Sequence, residues 1–208
     1  VTTPPAVAMD AQGDFWVAYT PTNQDTFAIF VQRYNASGTA IGMPFQASLP
    51  GNFVTTSTAV ATDGDGNFVV AYTPTNQDTF AVFVQRFTSD GTVIGSVIQA
   101  SDPDHFLTTS PDIAMAPNGR FAVVYSPTNQ GTFAAFLRCF NADGTPTSGS
   151  AIRVSDTAHF VTLPASIAMG PDGQISVAWY DGGSTHSIYA RSLNFDATTL
   201  GPDRKSVV

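Results

Sequence analysis

Amide side chains recur in three loops of almost identical sequence. The loops read TPTNQDT at 20–26 and at 73–79, and SPTNQGT at 126–132. An amide both donates and accepts hydrogen bonds, so a cluster of amides suits the hydroxyl groups of a sugar. The same residue types also favour turns, so a purely structural role for the loops stays open. The repeated amides are Asn23, Gln24, Asn76, Gln77, Asn129 and Gln130.

Aromatic residues and histidines lie in the segments that connect successive repeats. An aromatic ring beside amides could provide an apolar platform for a sugar ring. The alternative is that each phenylalanine fills the gap between two repeats. We predict that these residues join the amides in ligand sites. They are Phe53, His105, Phe106, His159 and Phe160.

Metal binding has little support in the sequence. Three histidines could bind zinc, but two of them, His105 and His159, occupy equivalent places in successive repeats, which keeps them apart. The segment DGDGN at 63–67 alternates oxygen-bearing side chains as a calcium loop does. The equivalent segments of the other repeats lack these carboxylates, so a hairpin turn is favoured. We predict no metal and no cofactor.

The sequence also shows no recognisable set of catalytic residues. Glycoside hydrolysis needs two carboxylates at a fixed separation. Asp25 and Asp78 recur in the amide-rich loops, but Gly131 takes that position in the third loop. No nucleophile elbow is present. The sequence therefore predicts a protein that is not an enzyme, with hydrolase activity as the third-ranked function.

Charge and composition narrow the classes of partner. The 208 residues carry a net charge of −8 and are 43% hydrophobic. An acidic chain does not suit nucleic acid, which needs a basic face. No apolar run approaches the roughly 18 residues that a membrane-spanning helix needs. The single cysteine, Cys139, cannot form an internal disulfide.

An internal repeat of about 53 residues accounts for the whole chain. Each copy opens with a strand-like run, such as PAVAM at 5–9, a glycine turn and a second run, such as FWVAY at 15–19. A third run, such as FAIFVQRY at 27–34, is apolar on both faces, which indicates that both faces are covered. A fourth short run closes each copy. The units are approximately 1–53, 54–106, 107–160 and 161–208.

Repeated four-stranded units covered on both faces are typical of β-propeller blades. We therefore predict one all-β domain over 1–208, a β-propeller with four blades of four antiparallel strands each. A closed ring of four blades is favoured. The alternatives are a β-solenoid or a stack of hairpins, a fragment of a longer array, or an incomplete ring finished by another chain.

The repeat resembles one found in large secreted bacterial surface proteins, including RTX-like and adhesin-like proteins. The shared pattern joins an A-M-x-x-x-G-x-F-x-V-x-Y run to a Q-R-F/Y run, seen here at 32–34 and 85–87. The third and fourth units depart from it at 138–140 and 191–193. The resemblance implies propeller blades and an extracellular, periplasmic or cell-surface location. It implies little about function, because one fold serves many functions.

Two non-catalytic functions remain from different classes. The first-ranked is a structural or protein-interaction subunit of a larger assembly, with protein partners and no nucleic acid. The alternative is a lectin-like module that binds a glycan through the repeated amide loops and the neighbouring phenylalanines. Divergence of the fourth loop, YDGGSTHS at 180–187, argues against four equal glycan sites.

Overall fold

The computed structural model describes residues 3–21, 27–75, 80–107, 109–128, 133–157, 160–183 and 186–201, together with the backbone of 204–205. These residues form sixteen strands and no helix. The strands make four separate four-stranded sheets, one from each repeat, and each sheet is called a blade here. This arrangement confirms the all-β prediction. Because the described residues contain no helix, none of them forms a helix that could cross a membrane.

Every blade is an antiparallel meander whose strands follow chain order. Blade 1 contains β1 (Ala6–Met9), β2 (Phe15–Tyr19), β3 (Phe30–Tyr34) and β4 (Ala40–Gln46), and blade 2 contains β5 (Ala59–Thr62), β6 (Phe68–Tyr72), β7 (Phe83–Phe87) and β8 (Val93–Gln99). Blade 3 contains β9 (Asp112–Met115), β10 (Phe121–Tyr125), β11 (Phe136–Phe140) and β12 (Ile152–Arg153). Blade 4 contains β13 (Ser166–Met169), β14 (Ile175–Asp181), β15 (Ser187–Leu193) and β16 (Arg204–Lys205).

The first hairpin of each blade turns at a glycine with a positive φ angle, as predicted. The φ angles are 86° at Gly13, 79° at Gly66, 83° at Gly119 and 85° at Gly173. Glycine adopts this conformation without the steric cost that a Cβ atom adds. The third strand starts later than predicted in blade 1, at Phe30 rather than at Phe27, because Phe27 has a φ of 42° and leaves the extended conformation.

The hydrophobic core lies between the blades. The register of blade 1 places Trp16 and Ala18 on one side of β2, and Phe15, Val17 and Tyr19 on the other. We call the side that faces the next blade in the chain the trailing face and the opposite side the leading face. Three core clusters each join the trailing face of one blade to the leading face of the next. Successive blades thus bury each other's apolar side chains, which explains strands that are apolar on both faces.

The ring of four blades is open, and the prediction of a closed ring is therefore wrong. The first strands of the blades contact one another in the order β1, β5, β9, β13. Val7 on the leading face of β1 is 64% exposed, whereas its equivalent in blade 2, Val60, is 8% exposed. The sheets therefore form an arc with a free blade face at each end. The curvature of each junction comes from the side chains packed between blades, so a ring of four does not follow from four repeats.

Candidate ligand-binding sites between the blades

The structure allows a comparison for only part of the predicted site. All six repeated amides and His159 lie outside the described residues. Phe53, His105, Phe106 and Phe160 are described, and the three phenylalanines are 37%, 37% and 42% exposed. The three phenylalanines lie at the edge of the blades where the second strand connects to the third. Their predicted role in ligand binding stays a prediction.

Each predicted phenylalanine packs against a second phenylalanine that lies three residues before the third strand. The ring centroids are 5.6 Å apart for Phe27 and Phe53, and 4.0 Å apart for Phe80 and Phe106. The backbone links the pair to both neighbouring blades: the amide of Val54 donates to the carbonyl of Phe27 at 2.9 Å, and the amide of Thr75 donates to the carbonyl of Phe53 at 2.7 Å. Phe133 and Phe160 repeat the arrangement, with centroids 4.0 Å apart. Sequence reasoning assigned Phe27, Phe80 and Phe133 to strands and missed their place in this aromatic edge.

His105 connects two blades rather than lying with Phe106. Its Nδ1 lies 3.1 Å from the Tyr125 hydroxyl of blade 3, and its ring lies 4.3 Å from that of Phe136. Burial lowers the pKa of His105, and the carboxylates of Asp102 and Asp104 act in the opposite direction. Asn52 takes the equivalent position one repeat earlier, where it hydrogen-bonds the Tyr72 hydroxyl. The position therefore serves the contact between blades in both repeats.

The DGDGN segment forms a hairpin turn, as the sequence favoured. One carboxylate oxygen of Asp63 accepts hydrogen bonds from the amides of Asp65 and Asn67, at 2.9 and 2.8 Å. The other oxygen accepts from the side-chain amide of Asn67 at 2.9 Å. Within the described ranges, no group of three or more His, Cys, Asp or Glu side chains could hold a metal ion.

A cleft opens between blades 1 and 2 at the opposite edge, where the hairpin turns lie. This cleft has a volume of about 260 Å³. A similar cleft between blades 2 and 3 has a volume of about 280 Å³. Arg33 crosses this first cleft: Nη1 donates to the Ser89 carbonyl of blade 2 at 2.9 Å, and Nη2 pairs with Asp14 at 2.8 Å. The guanidinium also lies 5.2 Å from the Trp16 ring centre. Other lining residues include Ile41, Met43, Phe45 and Asp90.

The same arrangement recurs between blades 2 and 3. Arg86 occupies the place of Arg33, and its Nη1 donates to the Ala142 carbonyl of blade 3 at 2.8 Å. Partial burial lowers the pKa of Arg86, and the charge of Asp143 opposes that shift. The cleft is lined by apolar residues, by carboxylates and by an amide: Val69, Ile94, Met115, Asp63, Asp65 and Asn67. We call these two sites the arginine clefts.

The junction of blades 3 and 4 lacks the arginine. Cys139 takes its place, is 2% exposed, and has a pKa raised to about 12, mainly by burial. Ala197 stands where the other blades have glycine, and it packs against the core cluster that contains Cys139. The repeated Gln-Arg dipeptide was the sequence signal for the arginine clefts. Sequence analysis used it to recognise the repeat and did not assign it to a site.

Comparisons with known proteins connect the chain to β-propellers. No protein-family model and no curated protein matches it. Among solved structures it is similar to the BP39L lectin of Burkholderia pseudomallei, with a TM-score of 0.70 and 15% identity over 99% of this chain and 57% of that one. It is similar to the Aleuria aurantia lectin in complex with α-methyl-L-fucoside, with a TM-score of 0.65 and 15% identity over 99% of this chain and 61% of that one. That lectin is described as a six-bladed β-propeller.

An enzyme has the same fold. The chain is similar to an α-L-arabinanase of Penicillium chrysogenum complexed with arabinobiose, with a TM-score of 0.64 and 15% identity over 100% of this chain and 67% of that one. This chain spans only 57 to 67% of the length of these three proteins. At such identities the likeness shows the fold alone, which is that of a β-propeller. Four blades of this chain match part of a larger ring.

Proposed function

We propose that the protein binds neutral glycans without cleaving them, at the clefts between its blades. The observation that carries this proposal is the recurrence of the arginine cleft at two junctions. Each cleft combines a guanidinium held across the junction, an apolar wall and nearby carboxylates. Volumes of about 260 and 280 Å³ lie just below the usual range of small-molecule pockets, roughly 300–1,000 Å³, and suit a ligand of the size of a single sugar residue.

Charge favours a neutral ligand over an anion. Arg33 is paired with Asp14, and Asp143 acts on Arg86, so neither cation stands alone. The chain as a whole carries a net charge of −8, which repels anionic ligands. Guanidinium donors and carboxylate acceptors together match the hydroxyl groups of a sugar. Ile41, Met43 and Phe45 supply apolar surface for its carbon-bound hydrogens.

Likeness in fold supports the lectin-like function more than the first-ranked prediction of a structural subunit. Two of the similar proteins are lectins, and the α-methyl-L-fucoside complex shows a sugar bound to such a propeller. The arabinanase keeps hydrolase activity as a further possibility in this fold. We propose an extracellular or periplasmic location, where glycans are accessible, and this rests on the resemblance of the repeat alone.

Substitution of both cleft arginines tests the proposal. The probes are an immobilised glycan array and α-methyl-L-fucoside in solution. We expect the double variant Arg33→Met and Arg86→Met to bind its best glycan about 10- to 100-fold more weakly. The reason is that a hydrogen bond to a charged donor contributes roughly 1.5–3 kcal/mol. Calorimetric titration with the best array glycan measures the change.

Two sets of controls separate the candidate surfaces. Arg153→Met makes the same chemical change outside the clefts, where the guanidinium bonds the carbonyls of Ser155 and Asp156, and it should leave binding unchanged. Asn76→Ala and Asn129→Ala test the amide loops instead. Loss of binding in these two variants and not in the arginine pair would move the glycan site to the loop edge. No binding by the unaltered chain to any glycan on the array would refute the proposed function.

A further inference from the structure

The leading face of blade 1 has the features of a blade interface. In blades 2 and 3 the leading face contains a stacked aromatic pair, Phe68 with Phe87 and Phe121 with Phe140, each with ring centroids 4.9 Å apart. All four of these rings are buried by the preceding blade. Blade 1 has the same pair, Phe15 with Tyr34, with centroids 5.0 Å apart and both rings only half-buried.

The first strand of blade 1 shows the same contrast. Val7 and Met9 are 64% and 61% exposed. Val60 and Ile113, which take the place of Val7 in blades 2 and 3, are 8% and 5% exposed and belong to the core clusters at their junctions. A contiguous apolar face of this kind on a soluble protein marks an interaction surface. Its continuity with the established junctions identifies the type of surface that covers it: the trailing face of a propeller blade.

Gly38 indicates a further feature of that covering blade. Its equivalents Gly91 and Gly144 lie against the preceding blade, where an added Cβ would meet Phe45 at 2.8 Å and Arg86 at 2.8 Å. Where Cys139 replaces the arginine, the facing residue is Ala197 instead. An added Cβ at Gly38 would meet nothing within 4 Å. Blade 1 therefore keeps the glycine that accompanies an arginine in the preceding blade.

A second copy of this chain does not match the surface well. Its free trailing face is that of blade 4, which has Ser192 where Arg33 and Arg86 stand, and Ser176 where Trp16 stands. The two serine hydroxyls lie 3.3 Å apart and exposed. A serine is too short to reach the carbonyl of the facing turn as the arginines do. The similar six-bladed lectin also leaves ring positions for further blades beside these four.

We infer that the leading face of blade 1 binds the trailing face of a further propeller blade of this same repeat, one that carries arginine at the third-strand position of Arg33 and Arg86. The bound arginine donates to the turn that contains Gly38, as Arg33 does to Ser89. The aromatic pair of blade 1 becomes buried in the process. A third arginine cleft forms at this junction.

A chain extended by one repeat tests the inference. A second copy of unit two, residues 54–106, is placed directly before Val1, which keeps the spacing of 53 residues. We expect the thermal unfolding midpoint to rise by about 5 °C or more. Burial of the apolar interface stabilises the folded chain, and each kcal/mol of added stability raises the midpoint by about 2–4 °C at this chain length. Val7→Asp should cancel most of this rise, yet lower the midpoint of the unextended chain by less than about 2 °C because Val7 is exposed there.

A second extended chain measures the contribution of the arginine to the stability of the new junction. In it, the added copy carries Arg86→Ser, which imitates blade 4, and the rise in midpoint should be clearly smaller. An unchanged midpoint in the extended chain, or an equal effect of Val7→Asp in both chains, would overturn the inference. Concentration-dependent oligomers of the unextended chain that Val7→Asp abolishes would also overturn it, by assigning the face to a second copy. Neither readout depends on glycan binding.

Discussion

Gly144 lies so close to Arg86 that no side chain fits between them. An added Cβ would come within 2.8 Å of Nε and 2.9 Å of Cζ, and Gly144 has a φ of 87°. Gly38 has the same turn position and a φ of 79° but nothing within 4 Å. Substitution by alanine strains the backbone at both positions, and a steric clash is added only at Gly144. This pair therefore separates backbone strain from packing.

We expect Gly144→Ala to lower the free energy of unfolding by about 1–3 kcal/mol more than Gly38→Ala does. The excess is the usual cost of overpacking, and the shared part is the steric cost of a left-handed conformation, roughly 1 kcal/mol. Urea denaturation of both variants measures the difference. Equal costs in the two variants would show that Arg86 moves away without penalty.

At the junction of blades 3 and 4, both partners of this contact are different. Cys139 takes the place of the arginine, and Ala197 takes the place of the glycine. The third junction has lost the arginine, and the facing turn has gained a methyl group although Ala197 keeps a φ of 63°. Packing of Ala197 against the cluster that contains Cys139 offsets part of the strain. The two changes belong together because the methyl group occupies space that an arginine would fill.

We expect the stability of the blade 2–3 junction to depend on the protonation of His105, whose Nδ1 lies 3.1 Å from the Tyr125 hydroxyl. Burial lowers the pKa of this imidazole below its ordinary value of 6.5. Below about pH 6.5 the unfolded chain therefore binds a proton more readily than the folded chain does. The contribution of the neutral imidazole is present above that pH and is lost as the pH falls through the lowered pKa.

We expect His105→Asn to flatten the fall in stability between pH 7 and pH 5, since Asn52 makes the equivalent contact with Tyr72 without titrating. Urea denaturation at several pH values measures the slope, and NMR titration of His105 measures its pKa. Asp102 and Asp104 lie near the ring and raise its pKa, so their charges limit the effect. A pKa at or above 6.5 would contradict the expected direction.

At the scale of the blade, equivalent side chains contribute differently to the free energy of unfolding, because only some of them are covered by a preceding blade. Phe121 in blade 3 is fully buried between blades, whereas its equivalent Phe15 in blade 1 lies on the free leading face. Both rings stack on an aromatic partner of the same sheet, at 4.9 and 5.0 Å. The partner within the sheet is therefore matched, and only the preceding blade is different.

We expect Phe121→Ala to cost about 3–5 kcal/mol, the usual cost of removing a buried phenylalanine. Phe15→Ala should cost less than half of that in the unextended chain, because its ring already contacts solvent. Chemical denaturation of both variants gives the two values. Similar costs would mean that the stacking partner, rather than the junction, provides most of the stability.

At the scale of the whole molecule, stability is a sum over blades and junctions. Each blade contacts only its neighbours, as in other repeat architectures. The four blades described here share three core clusters, one at each junction. The two end faces are therefore the places where the molecule can grow or bind, and they differ: blade 1 presents aromatic side chains, and blade 4 presents serines. The first-ranked prediction of an assembly subunit would use the same end faces.

The sequence alone determined the features that local spacing controls. Alternating apolar residues, glycine turns and the 53-residue repeat predicted the strands and their order within each blade, because those contacts join neighbours in the chain. The sequence also placed Phe53, Phe106 and Phe160 in the segments between repeats, but their exposure was seen only in the structure. The start of the third strand did not, because the positive φ of Phe27 depends on contacts with the next blade.

Only the tertiary structure decided how the blades meet. The arginine clefts join Arg33 to Ser89 and Arg86 to Ala142, residues 56 positions apart in the chain. The opening of the ring depends on the angle at each junction, and that angle comes from the volumes of side chains that interlock between two sheets. A repeat count contains no such information. The sequence therefore specified the blade, and packing between blades specified the arc and its clefts.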